Sequence, residues 1–408
     1  MTNPDLLKIL NAQRAAFDGN PNPPWEARKA NLKKLGQVIA ANEAAFQDAI
    51  SQDFGNRAAH ETTLTEMLVI QAGISHALKH TKHWMRRRKV ATGIQYRPGT
   101  SQIVPQPLGV VGIISPWNYP LMLAIMPLIG ALGAGNRVMI KPSENTPKLS
   151  LLMKNVLAEV FTDTEVHVAI GGVDVAQEFS SLPFDHLLFT GSTNVGRMVA
   201  CAAAKNLTPV TLELGGKSPV IIDDSIDMDV AVARIVNGKL MNAGQTCVAP
   251  DYILMPADKI DRFADGMIAQ AEKLYPTIAG NPDYTSIISE SHYARLQRLL
   301  DDAESKGARI RRAGADDRQK LANGRLVPLS IVTNTTPDML IMQEEIFGPL
   351  LPIVPSDNLE HALDYIGQRE RPLALYWFGN DTAKRNKVLA ESISGGVSIN
   401  EIAWHLVQ

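Results

Sequence analysis

From residue 109 onward, short apolar runs alternate with longer segments of helical period. The runs at 110–114, 138–141, 166–170, 186–189 and 210–213 predict strands. Helices are predicted between them at 120–134, 147–160, 174–180 and 194–205. Strands that are apolar throughout and alternate with helices imply a parallel sheet covered on both faces, binding ligands beyond the carboxyl ends of its strands. A second α/β unit begins near residue 214 with a strand over 219–222, followed by a helix over 259–274 and a polar, charge-rich stretch over 301–323. The pattern predicts an α/β protein of two doubly wound domains, 1–212 and 213–400, and a cleft is expected at such a junction.

The first hundred residues are mainly helical in composition. One helical region covers 15–49, interrupted by Pro21-Asn22-Pro23-Pro24, and a second covers 61–85. In the second, a helical period places Leu64, Met67, Leu68, Ile74, Leu78 and Met85 on one face. His76, His80 and His83 lie on the other side with Lys79 and Lys82 among them and no Cys or carboxylate, which fits a solvated face and no metal.

With 408 residues the chain is too long for one core. Its net charge of -2 gives no pull toward nucleic acid or an anionic membrane, and Arg86-Arg87-Arg88-Lys89 lacks the aromatics of a nucleic-acid site. The most apolar window, 121–135, is too short to span a bilayer and contains Pro127, so it reads as a buried helix. Two cysteines make no disulfide framework, and the start MTNPDLLKIL has no signal-peptide pattern, so a cytoplasmic location is expected.

Several segments carry possible chemistry. Cys247, in Asn242-Ala243-Gly244-Gln245-Thr246-Cys247, is either a nucleophile or a buried inert thiol. Cys201, in a helix-like run, fits the inert thiol. Glu213 closes an apolar run before Leu214-Gly215-Gly216-Lys217-Ser218, so it is either a general base or a solvated strand end. The Gly-Lys-Ser triplet is not a phosphate loop, because Thr211 stands where that loop needs a glycine and a strand follows instead of a helix. Asn118, in Pro116-Trp117-Asn118-Tyr119-Pro120, suits an oxyanion donor or a helix cap. Phe189-Thr190-Gly191-Ser192-Thr193-Asn194-Val195-Gly196 joins a strand to a helix and can admit a pyrophosphate at the helix start. Lys141 and Glu144 are either ribose ligands or a surface ion pair. Glu344-Glu345-Ile346-Phe347-Gly348-Pro349 sets acids beside an aromatic and a turn.

Together, in this order, these segments resemble the aldehyde dehydrogenase superfamily, and the wording at 116–120, 141–144, 247–250 and 395–397 resembles its class 3 branch, coniferyl-aldehyde type. The resemblance implies two Rossmann-like domains and a small oligomerisation hairpin within 86–107. Cys247 is then the nucleophile, Glu213 the base, and Asn118 with the Cys247 backbone N–H the oxyanion hole. Trp117, Lys141, Glu144, Gly191, Ser192, Gly196, Leu214, Glu345 and Phe347 line the cofactor, with Lys141 and Glu144 on the adenosine ribose and Glu345 on the nicotinamide ribose. The implied reaction is oxidation of an aromatic or medium-chain aldehyde through a thioester hydrolysed with Glu213. NAD is the expected cofactor, with NADP possible, because the Glu144 carboxylate repels a 2′-phosphate.

The family pattern continues beyond Asn400 and His405 with a Pro-Phe-Gly-Gly loop and a dimer strand, whereas 401–408 only begins that segment. The family's homodimer and substrate mouth are expected to depend on it. Two further readings go with these residues: a degenerate member that binds dinucleotide or a partner without turnover, and a cofactor-independent thiol esterase.

Overall fold

The computed structural model describes residues 5–314 and 318–406, which divide into two units. Unit 1 holds the residues up to Asp53 together with Ala59–Glu213; unit 2 holds Phe54–Ala58 and the residues from Leu214 onward. Residues 407 and 408 of the expected 401–408 segment, and 315–317 of the charge-rich stretch, lie outside the described residues.

Unit 1 opens with α1 (Leu6–Asp18), α2 (Trp25–Ala41) and α3 (Glu43–Phe54). The proline-rich break separates α1 from α2, and Pro24 stands at the N-cap of α2, where a missing N–H costs nothing. The second helical region is α4 (Ala59–Thr62), a π turn (Thr63–Met67) and α5 (Leu68–Trp84). The expected apolar face is corrected here: Leu64 and Leu68 are 62% and 53% exposed, whereas Met67, Ile70, Ile74 and Ala77 are buried. A π turn takes more residues per revolution than an α-helix, so it shifts the phase on which the helical period was extrapolated. His76, His80 and Trp84 form a surface ladder, with ring centroids 4.3 Å apart for the histidines and 5.9 Å for His80 and Trp84. Among the described residues no cluster of three metal-ligating side chains occurs.

A hairpin follows, β1 (Arg88–Val90) paired antiparallel with β2 (Ser101–Ile103), and the basic run leads into it on exposed positions. Then come β3 (Val110–Ile114), α6 (Met122–Ala134), β4 (Arg137–Lys141), α7 (Pro147–Ala158), β5 (Val166–Val168), α8 (Val173–Ser180), β6 (His186–Gly191), α9 (Thr193–Ala204) and β7 (Val210–Leu214). The sheet order is β5-β4-β3-β6-β7, with parallel pairing of β4 to β5 and of β3 to both β4 and β6. This is the dinucleotide-fold order, and its connections diverge between β3 and β6. The apolar window is α6, packed into the unit; no described helix is long and apolar enough to cross a membrane.

Unit 2 contains β8 (Pro219–Ile222), α10 (Met228–Leu240), β9 (Tyr252–Met255), α11 (Ile260–Leu274), α12 (Glu290–Ser305), β10 (Arg309–Arg312), α13 (Arg318–Asn323), β11 (Ser330–Thr333), α14 (Leu340–Gln343), β12 (Leu350–Pro355), α15 (Leu359–Gly367), β13 (Ala374–Phe378), α16 (Thr382–Glu391) and β14 (Gly396–Ile399). Its sheet runs β10-β11-β12-β9-β8-β13-β14, parallel except for β10. The charge-rich stretch is therefore partly a strand. Arg309–Arg312 sits at the sheet edge, where charged side chains are tolerated and no apolar run marks the strand.

The start of α6 is held from a distance. The buried Glu66 carboxylate, from the π turn, accepts from the N–H groups of Leu121 and Met122 at 2.8 and 2.9 Å. Glu66→Ala removes a charged acceptor from one buried and one part-buried donor, a loss of about 2–3 kcal/mol. A lower urea midpoint, read on unit 1 by hydrogen exchange in α6, is the expected result; an unchanged midpoint would sink this account.

Candidate active site

In unit 1 the candidate residues stand at the carboxyl ends of the strands. Ser115, Pro116, Trp117 and Asn118 follow β3, and Asn118 is buried. The N-cap position of α6 is Leu121, three residues after Asn118, and Glu66 accepts from the N–H groups at that helix start. Lys141 ends β4, and its backbone carbonyl accepts from the Ser115 N–H at 3.1 Å, which ties the ends of β3 and β4 together. The Lys141 ammonium is buried, donates to the Pro142 carbonyl at 2.6 Å and lies 3.6 Å from the half-exposed Glu144 carboxylate. Burial pushes this lysine below its ordinary range, and Glu144 opposes that shift. The pair is thus an ion pair, with its cation buried rather than on the surface.

Gly191 ends β6 and Ser192 caps α9, accepting from the Val195 N–H at 3.4 Å. Gly196 is buried in the first turn of α9, and its N–H donates to the Ser192 carbonyl at 2.9 Å. A twelve-residue helix starting directly beyond a parallel strand at the sheet's divergence presents a positive end suited to a pyrophosphate. With a buried cation and a half-exposed carboxylate at the end of β4, on the other side of β3, these residues fit a dinucleotide. Glu213, exposed, lies in β7 one residue before its end at Leu214.

In unit 2 the arrangement is reversed, because the candidates stand at the amino ends of β8, β9 and β12. After α10 the backbone enters the left-handed region at three successive residues, Asn242 (φ 52°), Ala243 (φ 50°) and Gly244 (φ 73°). A Cβ on Gly244 would lie 2.4 Å from the Gly348 carbonyl oxygen, so this turn packs against the segment that carries Glu345 and Phe347. The buried Gln245 side chain closes the turn, donating to the carbonyls of Asn242 and Ser286 at 3.0 and 3.1 Å and accepting from the Ile288 N–H at 3.0 Å. The Ala249 N–H returns to the Thr246 carbonyl at 2.9 Å, which makes Cys247 the second residue of a tight turn. Cys247 is partly exposed, while Gln245 and Val248 beside it are buried. Tyr376 donates its hydroxyl to the Val248 carbonyl.

Glu345 lies over the Gly215–Gly216 backbone. Both its carboxylate oxygens come within 2.3 Å of where a Gly215 Cβ would stand, so only glycine admits this approach. The Gly216 N–H donates to it, and Lys217 and Arg295 lie near. Burial and the Asp251 charge outweigh these and raise the Glu345 carboxyl to about 7. Phe347 adopts φ 50°, which turns the chain into Gly348 and β12. Lys239, fully buried, donates to the Pro250 carbonyl at 2.7 Å, and burial lowers it to about 7.

The structure therefore gathers Cys247, Glu345 and Phe347 within unit 2, and Asn118, Lys141, Glu144, Gly191, Ser192 and Gly196 beyond the strand ends of unit 1. Cys201 requires a correction: it is helical as expected but exposed, because it lies on the outer face of α9. Sequence reasoning passed over Glu66, Gln245, Lys239, Asp251 and Arg295. A charged residue directly before an apolar strand, as Asp251 stands before β9, was the available signal. Lys217, set aside with the phosphate loop, has its ammonium on Asp251 and two buried carbonyls.

Two mainly parallel α/β sheets, a dinucleotide-type helix start in one unit and a thiol on a constrained turn in the other fit the class of α/β dinucleotide-binding enzymes. The aldehyde dehydrogenase family model matches residues 1–407. A probable coniferyl aldehyde dehydrogenase of Pseudomonas aeruginosa is 50% identical over 403 residues, covering 99% of this chain and 84% of that protein. The coniferyl aldehyde dehydrogenase of a Pseudomonas species is 41% identical, covering 94% and 79%. The substrate-bound structure of AldH from Staphylococcus aureus superposes with a TM-score of 0.93 at 38% identity, covering 99% of this chain and 87% of that one. An aldehyde dehydrogenase of Mycobacterium tuberculosis, complexed with NAD+, superposes with a TM-score of 0.87 at 29% identity, covering 97% and 82%. The chain belongs to the aldehyde dehydrogenase family, and it is an NAD(P)-dependent oxidoreductase that converts aldehydes to carboxylic acids.

A carboxyl raised from 4.5 to about 7 destabilises the fold progressively as pH rises across that interval, because the unfolded chain has lost the proton and the folded chain keeps it. Below 4.5 both states are protonated and the effect vanishes. Glu345→Gln is expected to remove that part of the fall in urea midpoint between pH 4.5 and 7. Parallel pH profiles for the two proteins would overturn the assignment.

Proposed function

We propose that Cys247 is the nucleophile, Glu213 the general base, and Asn118 with the Cys247 backbone N–H the oxyanion donors, for oxidation of aromatic aldehydes such as coniferyl aldehyde or of medium-chain aliphatic ones. The carrying observation is the tight turn at Thr246–Ala249, which leaves Cys247 partly exposed between the buried, hydrogen-bonded Gln245 and Val248. A nucleophile needs that combination of access and fixed geometry. The names of the Pseudomonas relatives support the aromatic substrate.

In this reading the Cys247 thiolate attacks the aldehyde carbon, and the oxygen that becomes negative is received by the Asn118 amide and the Cys247 N–H. Bound NAD supplies the hydride acceptor that turns the adduct into a thioester. Glu213 then takes a proton from water as that water attacks the thioester, and the thiolate leaves with release of the carboxylate. Trp117 and Leu214 flank the cofactor. Lys141 and Glu144 hold the adenosine ribose, Gly191, Ser192 and Gly196 the pyrophosphate, and Glu345 with Phe347 the nicotinamide end. Glu144 disfavours a 2′-phosphate, so NAD is the preferred form. The hairpin of β1 and β2, with Val90, Ile94, Tyr96 and Ile103 exposed, supports a homodimer. Two cysteines in no disulfide support a cytoplasmic location.

The test follows nicotinamide reduction with benzaldehyde, coniferyl aldehyde and octanal, using NAD and NADP. Cys247→Ala is expected to lower kcat by at least about 10⁴-fold. Asn118→Ala is expected to lower it by about 10²–10³-fold. Glu213→Gln is expected to accumulate an acyl adduct on Cys247, visible by intact mass. Full turnover in Cys247→Ala would refute the nucleophile, and a Glu213→Gln enzyme that turns over without adduct would refute the base.

A further inference from the structure

The segment carrying Glu345, between α14 and β12, has no sheet or helix ladder of its own, yet its backbone groups are bonded by side chains from three directions. The Lys217 ammonium donates to the carbonyls of Ile341 and Glu344 at 2.8 and 2.9 Å. Asp251 accepts from the Ile346 N–H at 2.9 Å. Arg295 donates to the carbonyls of Glu345, at 3.0 Å, and Ile346. Lys217 and Asp251 are themselves a buried ion pair, 12% and 4% exposed. Each stands at the amino end of a strand: Lys217 before β8, and Asp251 between the cysteine turn and β9, with its N–H on the Ser218 carbonyl at 2.8 Å.

We propose that Lys217 and Asp251 are positioning residues for the cofactor reaction, a pair that fixes the 344–347 backbone so that the Glu345 carboxyl is held at the Gly215–Gly216 turn. A buried ion pair adds little net stability over an apolar pair of equal volume. Here the pair has other work, since between them the two side chains bond two main-chain groups of the loop and one in α14 just before it, and satisfy each other's charge. Asp251 also joins the two halves of the unit 2 site, because it follows the Cys247 turn by one proline and bonds the residue after Glu345. The Asp251 charge acts on Glu345 and on Lys239, so its loss reaches the whole buried group. Arg295, partly buried, bonds the same loop from α12.

The proposal rests on the reading of Glu345 as a nicotinamide-ribose ligand, and three variants separate the two ideas. Steady-state kinetics are measured with NAD varied at saturating benzaldehyde, and NAD dissociation constants by titration calorimetry without aldehyde, for Glu345→Gln, Asp251→Asn and Lys217→Arg, with each dissociation constant expected to move with its KM. Glu345→Gln is expected to raise the KM for NAD. Asp251→Asn is expected to raise it about tenfold, with kcat at saturating NAD within about threefold of the parent, as loss of a fixed ligand position requires. Lys217→Arg keeps the charge but replaces a compact three-donor ammonium by a planar fork, and it is expected to shift KM in the same direction. If Asp251→Asn does not fold, Lys217→Arg decides by the same criterion. A raised KM in Glu345→Gln beside an unchanged KM in the pair variants overturns the proposal and leaves the ribose reading standing. A fall in kcat alone in the pair variants also overturns it, since that marks a merely structural role. An unchanged KM in Glu345→Gln removes the ribose reading, and the proposal with it.

Discussion

Three consecutive left-handed residues, Asn242, Ala243 and Gly244, are the constraint around which unit 2 is arranged. For an L-residue other than glycine such a conformation costs about 1–2 kcal/mol, and Ala243 has no side-chain hydrogen bond with which to offset it. The surrounding structure holds it there. Gln245, wholly buried, bonds the backbone on both sides of the turn, and Gly244 lets the chain run against the Gly348 carbonyl. Without this reversal α10 would run on past Leu240, and Cys247 would not sit on a tight turn facing out from the amino end of β9.

Both units are doubly wound α/β sheets, yet they use opposite ends of their strands. In unit 1 the loops after β3, β4 and β6 follow the familiar rule that parallel sheets bind ligands beyond their carboxyl ends, where helix N-termini converge. In unit 2 the candidate residues stand on the loops before β8, β9 and β12. Helix dipoles at that end present carbonyls rather than N–H groups, so the positive charge comes from side chains: Lys217, Lys239 and Arg295 all direct their donors into main-chain carbonyls. Desolvation moves Lys239 down and Glu345 up, each to about 7, against the opposite charges beside them, and the Asp251 charge adds to the rise of Glu345.

Much of this was legible in the residues. The strands of unit 1 appear within one or two residues of where the apolar runs put them, because strands buried on both faces leave continuous hydrophobic stretches that loops do not. The segments around Cys247, at 191–196 and at 344–345 were recognisable only together, through their resemblance in this order to one family, since each alone left alternatives open. Less was legible where a tertiary contact overrode a local period. The π turn at Thr63–Met67 moved Leu64 and Leu68 to the surface, and Arg309–Arg312 became an edge strand without an apolar residue run to announce it.

By itself the sequence determined the fold class, through its hydrophobic period, and the family, through the resemblance of its motifs in their order. Only the tertiary structure decided what each charge does. Glu66 is distant in sequence from the helix it caps, Asp251 lies 95 residues from the amide it accepts, and Lys217 reaches carbonyls 124 and 127 residues away. Spacing along the chain carries no record of such pairings, because a buried charge is stabilised by whatever partner the packed elements bring to it, and that partner is set by sheet order rather than by sequence neighbours.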